Sequence, residues 1–134
     1  MQHKVIHVAV GVIMQQQRIL LALRSSKQHQ GGKWEFPGGK VEAGETVAQA
    51  LSRELQEEVA INVTQSSAFM QLEYAYPEKT VLLDIWLVTA FDGEPHGREG
   101  QPLRWVDIAE LGNIEFPDAN QPIVERIQQQ FATS

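Results

Sequence analysis

Glu54, Glu57 and Glu58 lie close together in the run GKVEAGETVAQALSRELQEEVAI, from Gly39 to Ile61. On a helix turning about 100° per residue, Glu57 falls about 60° to one side of Glu54 and Glu58 about 40° to the other. Like charges at this spacing repel by roughly 0.2–0.5 kcal/mol per pair. A positive centre among them turns that repulsion into binding. A hard divalent cation suits the group: Mg²⁺ takes oxygen ligands, keeps several waters, and is held by few carboxylates together with substrate phosphates. The pattern points to phosphate chemistry with Mg²⁺ as cofactor and Mn²⁺ as a substitute.

The apolar stripe of the same helix, Val47, Leu51, Leu55 and Val59, begins at the edge of the carboxylate sector. The glutamates are therefore expected at the margin of the buried face, in a cleft. Arg53 is the i,i+4 partner of Glu57 and can reach back to Glu45, tying the helix to the loop before it. Just upstream stands Phe36-Pro37-Gly38-Gly39. Proline fixes one dihedral and glycine frees the others, so a tight turn is expected here, with the Gly38 carbonyl aimed at the same cation.

These residues resemble the Nudix box, a glycine and a glutamate spaced ahead of Arg-Glu-apolar-x-Glu-Glu-x-Gly-apolar. The match falls at Gly39, Glu45, Arg53, Glu54, Leu55, Glu57, Glu58 and Ile61, and the departure at Ala60, where the box has glycine. That glycine serves the turn after the helix. The likeness continues into the MutT-type pyrophosphohydrolases, through Arg24, His29, Lys33 to Lys40, Leu72-Glu73-Tyr74, the segments around Glu99-Gly100-Gln101-Pro102, and Phe116-Pro117 with Ala119-Asn120.

The resemblance implies an α/β Nudix-type α/β/α sandwich, a mixed sheet packed between helices. It implies a metal set of the Gly38 carbonyl, Glu54, Glu57, Glu58 and Glu99. Glu54 is the expected general base, Glu99 its rival, and Arg53 completes the catalytic group. Substrate contacts are expected from Arg24 and His29 at phosphate and sugar, and from Glu35, Phe36, Pro37 and Gly38 in the matching Lys33 to Lys40 stretch. Tyr76 is expected against the base. Asn120 stands just before the last helix, where Asn commonly caps, yet its amide offers a donor and an acceptor side by side, suited to a purine edge. The implied reaction is water attack at the β-phosphorus of 8-oxo-dGTP, giving 8-oxo-dGMP and pyrophosphate and cleansing the nucleotide pool. A Nudix enzyme for another nucleoside diphosphate derivative, or a silent nucleotide-binding module, are the alternatives.

The elements that must carry these groups follow from the pattern of the 134 residues, expected to form one domain, 1–134. Strands are expected over Val5 to Met14 and Arg18 to Leu23, joined through Gln15-Gln16-Gln17, with a polar loop over 25–33. The box helix should run from Thr46 to Ala60. A second strand pair, Ser67 to Tyr76 and Thr80 to Phe91, is joined across Pro77-Glu78-Lys79. After a Gly/Pro-rich loop from Asp92 to Pro102 come a short strand at Leu103 to Val106, a brief helix at Asp107 to Leu111, and an amphipathic one at Pro122 to Phe131. Trp34, Trp86 and Trp105 are assigned to packing.

The chain has no cysteine, which excludes disulfides, thiolate metal sites and a cysteine nucleophile. Its net charge of −6 argues against a nucleic-acid surface, which needs a basic stripe. With no secretory signal or membrane-length apolar run, the expectation is a cytoplasmic monomer whose partner is a small nucleotide.

Overall fold

The Lys4–Gln15 strand (β1) is buried on both faces from Ala9 to Ile13, and the rest of the fold is arranged around it. The computed structural model describes residues 4–24 and 31–131. A two-residue turn at Gln16-Gln17, both at positive φ, returns the chain as β2 (Arg18–Leu23). The two strands then diverge. β1 pairs with β2 only at Met14 and Gln15, because β4 (Gly38–Lys40) takes the same edge further along, opposite Val8 to Val10. β2 pairs instead with β3 (Trp34–Glu35) and β7 (Leu103–Asp107).

On its other edge β1 runs parallel to β6 (Lys79–Asp92), and β6 pairs antiparallel with β5 (Asn62–Ala75). The main path across the sheet is β3-β2-β1-β6-β5. One strand pair is parallel and the others antiparallel, so the sheet is mixed as expected.

The helix α1 (Val47–Val59) is started by Thr46, whose hydroxyl accepts the Gln49 N–H at 3.1 Å while the Gln49 amide oxygen accepts the Thr46 N–H at 2.9 Å. This reciprocal cap satisfies two donors that a helix start leaves open. α1 buries Ala50, Leu51, Leu55 and Val59 against Ala9, Ile13, Leu20 and Val88. Gly11 lets it approach: a Cβ there would come within 3.1 Å of Leu55. On the opposite face α2 (Gln121–Phe131) packs Ile123, Val124 and Ile127 onto Val10, Val12 and Ile85, with Phe36 and Phe116 stacked at 5.2 Å between ring centres. The expected helix–sheet–helix layering is present. Trp34 packs on the α2-side core, and Trp86 and Trp105 on the α1 side.

Three expectations need correction. The Phe36–Gly39 segment is not a tight turn: Gly38–Lys40 is strand β4, and the Pro37 carbonyl accepts the Gly11 N–H at 2.8 Å. The turn comes later, at Ala43-Gly44, with Gly44 at φ +84°. The strand expected from Ser67 starts at Asn62, because register shifts between Val63 and Met70 erase its alternation. The segment after β7 is a 3₁₀ helix, Ile108–Asn113, and a second one, Asp118–Asn120, precedes α2. Among the described residues, no helix is long and apolar enough to cross a membrane.

Candidate active site

Arg53 organises the first half of the site. Its guanidinium grips Glu45 through two nitrogens at 2.7 and 3.0 Å, and reaches Glu54 at 2.9 Å, Glu57 at 3.3 Å and the Lys40 carbonyl at 3.0 Å. Helix α1 is thereby fixed to the loop before it and to the end of β4. The fork geometry is what an arginine offers and a lysine does not. Hydrogen bonds from Arg53 and from the Glu42 backbone hold the Glu45 carboxyl at about 2, well below the usual carboxylate range, and Glu45 in turn raises Arg53.

Glycines at 38 and 39 are there for space. A Cβ on Gly38 would collide with the Ala9 carbonyl oxygen, and one on Gly39 with the Glu54 carboxylate. Glu54 therefore lies directly over the strand backbone. Glu58, a turn further on, accepts the Gly38 N–H at 3.2 Å. Burial pushes the Glu58 carboxyl up to about 7; the Gly38 bond opposes this, and the charges of Glu35, Glu54 and Glu99 add to it.

Two clefts meet at Glu58 and share Arg24 and Glu35. The larger, about 710 Å³, has an apolar floor of Val8, Val10, Leu83 and Ile123, with Phe36 and Gly38 in its wall. Tyr76 stands at its lip, 48% exposed, and Asp118, Ala119 and Asn120 close its far end. The smaller, about 540 Å³, is bounded by Glu99, Gly100, Gln101 and Pro102. Arg24 pairs with Glu35 at 2.7 Å in the shared wall.

The structure thus brings together Arg24, Glu35, Phe36, Gly38, Glu58, Tyr76 and Asn120 in one cleft, and Glu99 joins them through the second. Pro37 lies beneath, buried, with its carbonyl on β1. Glu57 does not share the cleft margin as expected: its side chain is 60% exposed, drawn outward along Arg53. Among the described residues no three carboxylate or imidazole groups form a ready metal-binding set. Arg53 holds Glu54 and Glu57 to one side, and Gly38 holds Glu58 to the other. His29 lies outside the described residues.

Asn120 ends the 3₁₀ turn, and its N–H donates to the Pro117 carbonyl at 2.9 Å. Its carboxamide makes no hydrogen bond among the described residues, so it lines the cleft without acting as a cap. Two further residues hold the site and were not singled out by sequence reasoning. The Tyr74 hydroxyl donates to the Ala119 carbonyl at 3.2 Å, pinning the Asn120 turn to β5. The Gln101 amide bridges the Glu99 loop to α1. Both stand inside the matched segments, but nothing in their spacing announces such long-range partners.

The carboxylates fit a divalent cation on chemical grounds: Glu54, Glu58 and Glu99 offer hard oxygen donors, and the charges of Glu35, Glu54 and Glu99 act on the Glu58 carboxyl in addition to its burial. An acidic cluster next to an apolar-floored cleft suits a small molecule with one charged and one apolar part.

The NUDIX domain family model matches residues 9–126, and the chain belongs to the Nudix hydrolase family, whose members depend on a divalent metal. Within it, the chain is 43% identical to the 8-oxo-dGTP diphosphatase of Escherichia coli over 93% of this chain and 98% of that one. It is 41% identical to the 8-oxo-dGTP diphosphatase of Haemophilus influenzae over 95% and 94%. A solved structure of MutT, described for Aliivibrio salmonicida and Vibrio cholerae, superposes with a TM-score of 0.86 at 48% identity, covering 96% of this chain and all of that one.

Proposed function

We propose that this chain hydrolyses 8-oxo-dGTP to 8-oxo-dGMP and pyrophosphate with Mg²⁺, Mn²⁺ serving as a substitute, and so removes an oxidised precursor before it reaches DNA. The observation that carries the reading is the meeting of two clefts at Glu58. One is floored by apolar side chains and ends in the Asn120 amide, which makes no hydrogen bond among the described residues, and the other is walled by Glu99. The relatives named above support the same substrate. The protein is proposed to work as a cytoplasmic monomer.

In this reading the base lies on Val8, Val10, Leu83 and Ile123, with Tyr76 at its edge and Asn120 on its hydrogen-bonding side. Arg24, oriented by Glu35, contacts the sugar and phosphates, a role the resemblance also implies for His29, and Pro37 holds the wall by its bond to β1. Glu54, Glu57, Glu58, Glu99 and the Gly38 carbonyl would hold the metal, which when bound neutralises phosphate charge and lowers the pKa of water. Glu54, set over Gly39 and oriented by Arg53, accepts the proton of the attacking water, with Glu99 as the other candidate. Attack at the β-phosphorus releases the monophosphate. Phosphoryl transfer asks mainly for positioning and charge neutralisation, which this rigid frame supplies.

The test is a panel of 8-oxo-dGTP, dGTP, CTP and a dinucleoside polyphosphate, with Mg²⁺, with Mn²⁺ and with excess chelator. Metal-dependent pyrophosphate release fastest from 8-oxo-dGTP is expected. Preference for the dinucleotide or CTP would overturn the substrate assignment, and activity that survives chelation would overturn the metal mechanism.

A further inference from the structure

The C-terminal turn of α1 leaves carbonyl groups without helical partners, and they carry the negative end of the helix dipole. The loop from Gly93 to Pro102 supplies donors to them. The His96 N–H donates to the Val59 carbonyl at 3.1 Å and the Arg98 N–H to the Glu58 carbonyl at 3.0 Å, while the Arg98 guanidinium is a second donor, at 3.3 Å, to the Gln56 carbonyl that already accepts the Ala60 N–H. Gln101 adds a different kind of bond. Its amide nitrogen donates to the Glu58 carbonyl at 2.9 Å, while its amide oxygen accepts the Glu99 N–H at 2.9 Å. The network fixes which end of the amide is which, since a flip would set donor against donor and acceptor against acceptor.

One side chain, 43 residues along the sequence from Glu58, therefore ties the backbone of Glu58 to the backbone of Glu99. The loop is also shaped to receive it. A Cβ at Gly97 would collide with the Gln101 carbonyl oxygen, so the chain can fold over Gln101 only with glycine there. The arrangement holds a carboxylate-bearing loop close to Glu58, against the mutual repulsion of the two acids.

We propose that Gln101 is a positioning residue: its bridging amide sets the separation of the Glu58 and Glu99 carboxylates and so builds the metal-binding geometry of the cleft. This rests on the assignment of Glu99 to the metal. Gln101 touches no reacting atom and acts through the backbone of its two partners. Glutamine suits the task because it pairs one donor with one acceptor at a fixed distance. Glutamate keeps the acceptor, loses the donor to Glu58, and adds charge to an already acidic cluster. Leucine keeps the bulk and loses both bonds.

Gln101→Leu and Gln101→Glu test this in the full chain, beside Glu99→Gln. In metal-free protein, amide exchange at Glu99 should speed up by about tenfold in Gln101→Leu, the size expected for one lost hydrogen bond, with the core of α1 still protected. Mn²⁺ affinity, titrated calorimetrically with the metal alone, should fall by about 10-fold or more, as removal of an orienting partner does. The kcat for pyrophosphate release should fall with it while KM for nucleotide stays near its original value. Gln101→Glu should not rescue either quantity, and it carries the test if the leucine variant fails to fold. Faster Glu99 exchange with unchanged Mn²⁺ affinity and kcat would overturn the proposal and leave Gln101 a loop latch. If Glu99→Gln leaves both quantities unchanged, the assignment of Glu99 itself fails. If Glu99→Gln is impaired and the Gln101 variants are not, the present proposal alone fails.

Discussion

The Glu58 carboxylate accepts the Gly38 N–H at 3.2 Å, joining the last turn of α1 to β4 at the point where the two clefts meet. The bond is worth less than its burial costs, because the Glu58 carboxyl is raised from 4.5 to about 7. A carboxyl raised on folding stabilises the fold fully below its unfolded value, and that contribution is lost as pH rises through the folded value. Without metal, stability should therefore fall between pH 4.5 and about 7, by at most about 3 kcal/mol. Thermal melts of chelated protein across this range check it. Glu58→Gln should flatten the decline and hold or raise the melting temperature while reducing turnover by orders of magnitude. A large loss of metal-free stability in that variant would mark Glu58 as structural.

Arg53→Lys should weaken the frame, because an ammonium cannot grip Glu45 with two nitrogens while also reaching Glu54 and the Lys40 carbonyl. The Glu45 carboxyl, lowered from 4.5 to about 2, contributes stability that is present above 4.5 and lost as pH falls through about 2. The variant should melt lower at neutral pH and differ less from the parent in strong acid. Misplacing Glu54 should cost about 100-fold in kcat. Stopped-assay kinetics and melts at two pH values decide this, and an unchanged kcat would remove Arg53 from the catalytic frame.

Ala60 closes α1 in the left-handed region, at φ 62° and ψ 32°, and its N–H reaches the Gln56 carbonyl at 3.1 Å. A side chain costs about 1–2 kcal/mol in that conformation, and the greater freedom of glycine in the unfolded chain returns part of the difference. Ala60→Gly should raise stability by about 0.5–1 kcal/mol and leave turnover alone. The same reasoning applies to Gln16 and Gln17, at φ 51° and 65° in the β1–β2 turn, where Asn-Gly suits both positions better. Chemical denaturation measures each, and a lower midpoint in Ala60→Gly would contradict the argument.

Much of this was legible in the sequence. The spacing of Val47, Leu51, Leu55 and Val59 placed α1 to within a residue at each end, because a capped helix with a buried stripe repeats its signal several times. That Glu54 and Glu58 leave α1 on its β4 side was legible for the same reason. The strand Gly38–Lys40 was not: its glycines answer to the nearness of Ala9 and Glu54, and glycine in a sequence reads first as a turn. Glu57 turned outward because Arg53 draws on several acids at once, a competition that helical angles do not contain. The bridge through Gln101 links residues far apart in the chain and leaves no local period.

One nucleotide is proposed to span the carboxylates at Glu58 and the amide at Asn120. This is tested most directly by kcat/KM for 8-oxo-dGTP and for dGTP, with saturating Mg²⁺, in the parent and in Asn120→Ala. Oxidation at C8 turns N7 from acceptor to donor, and a site built to hydrogen-bond its ligand rejects an analogue that leaves its polar groups unpaired. Because the Asn120 amide makes no bond among the described residues, its removal should leave the melting temperature unchanged. The ratio of the two kcat/KM values should then shrink by about 1–3 kcal/mol in free-energy terms, while kcat at saturating 8-oxo-dGTP changes little. An unchanged ratio, with or without a lower melting point, would contradict the account.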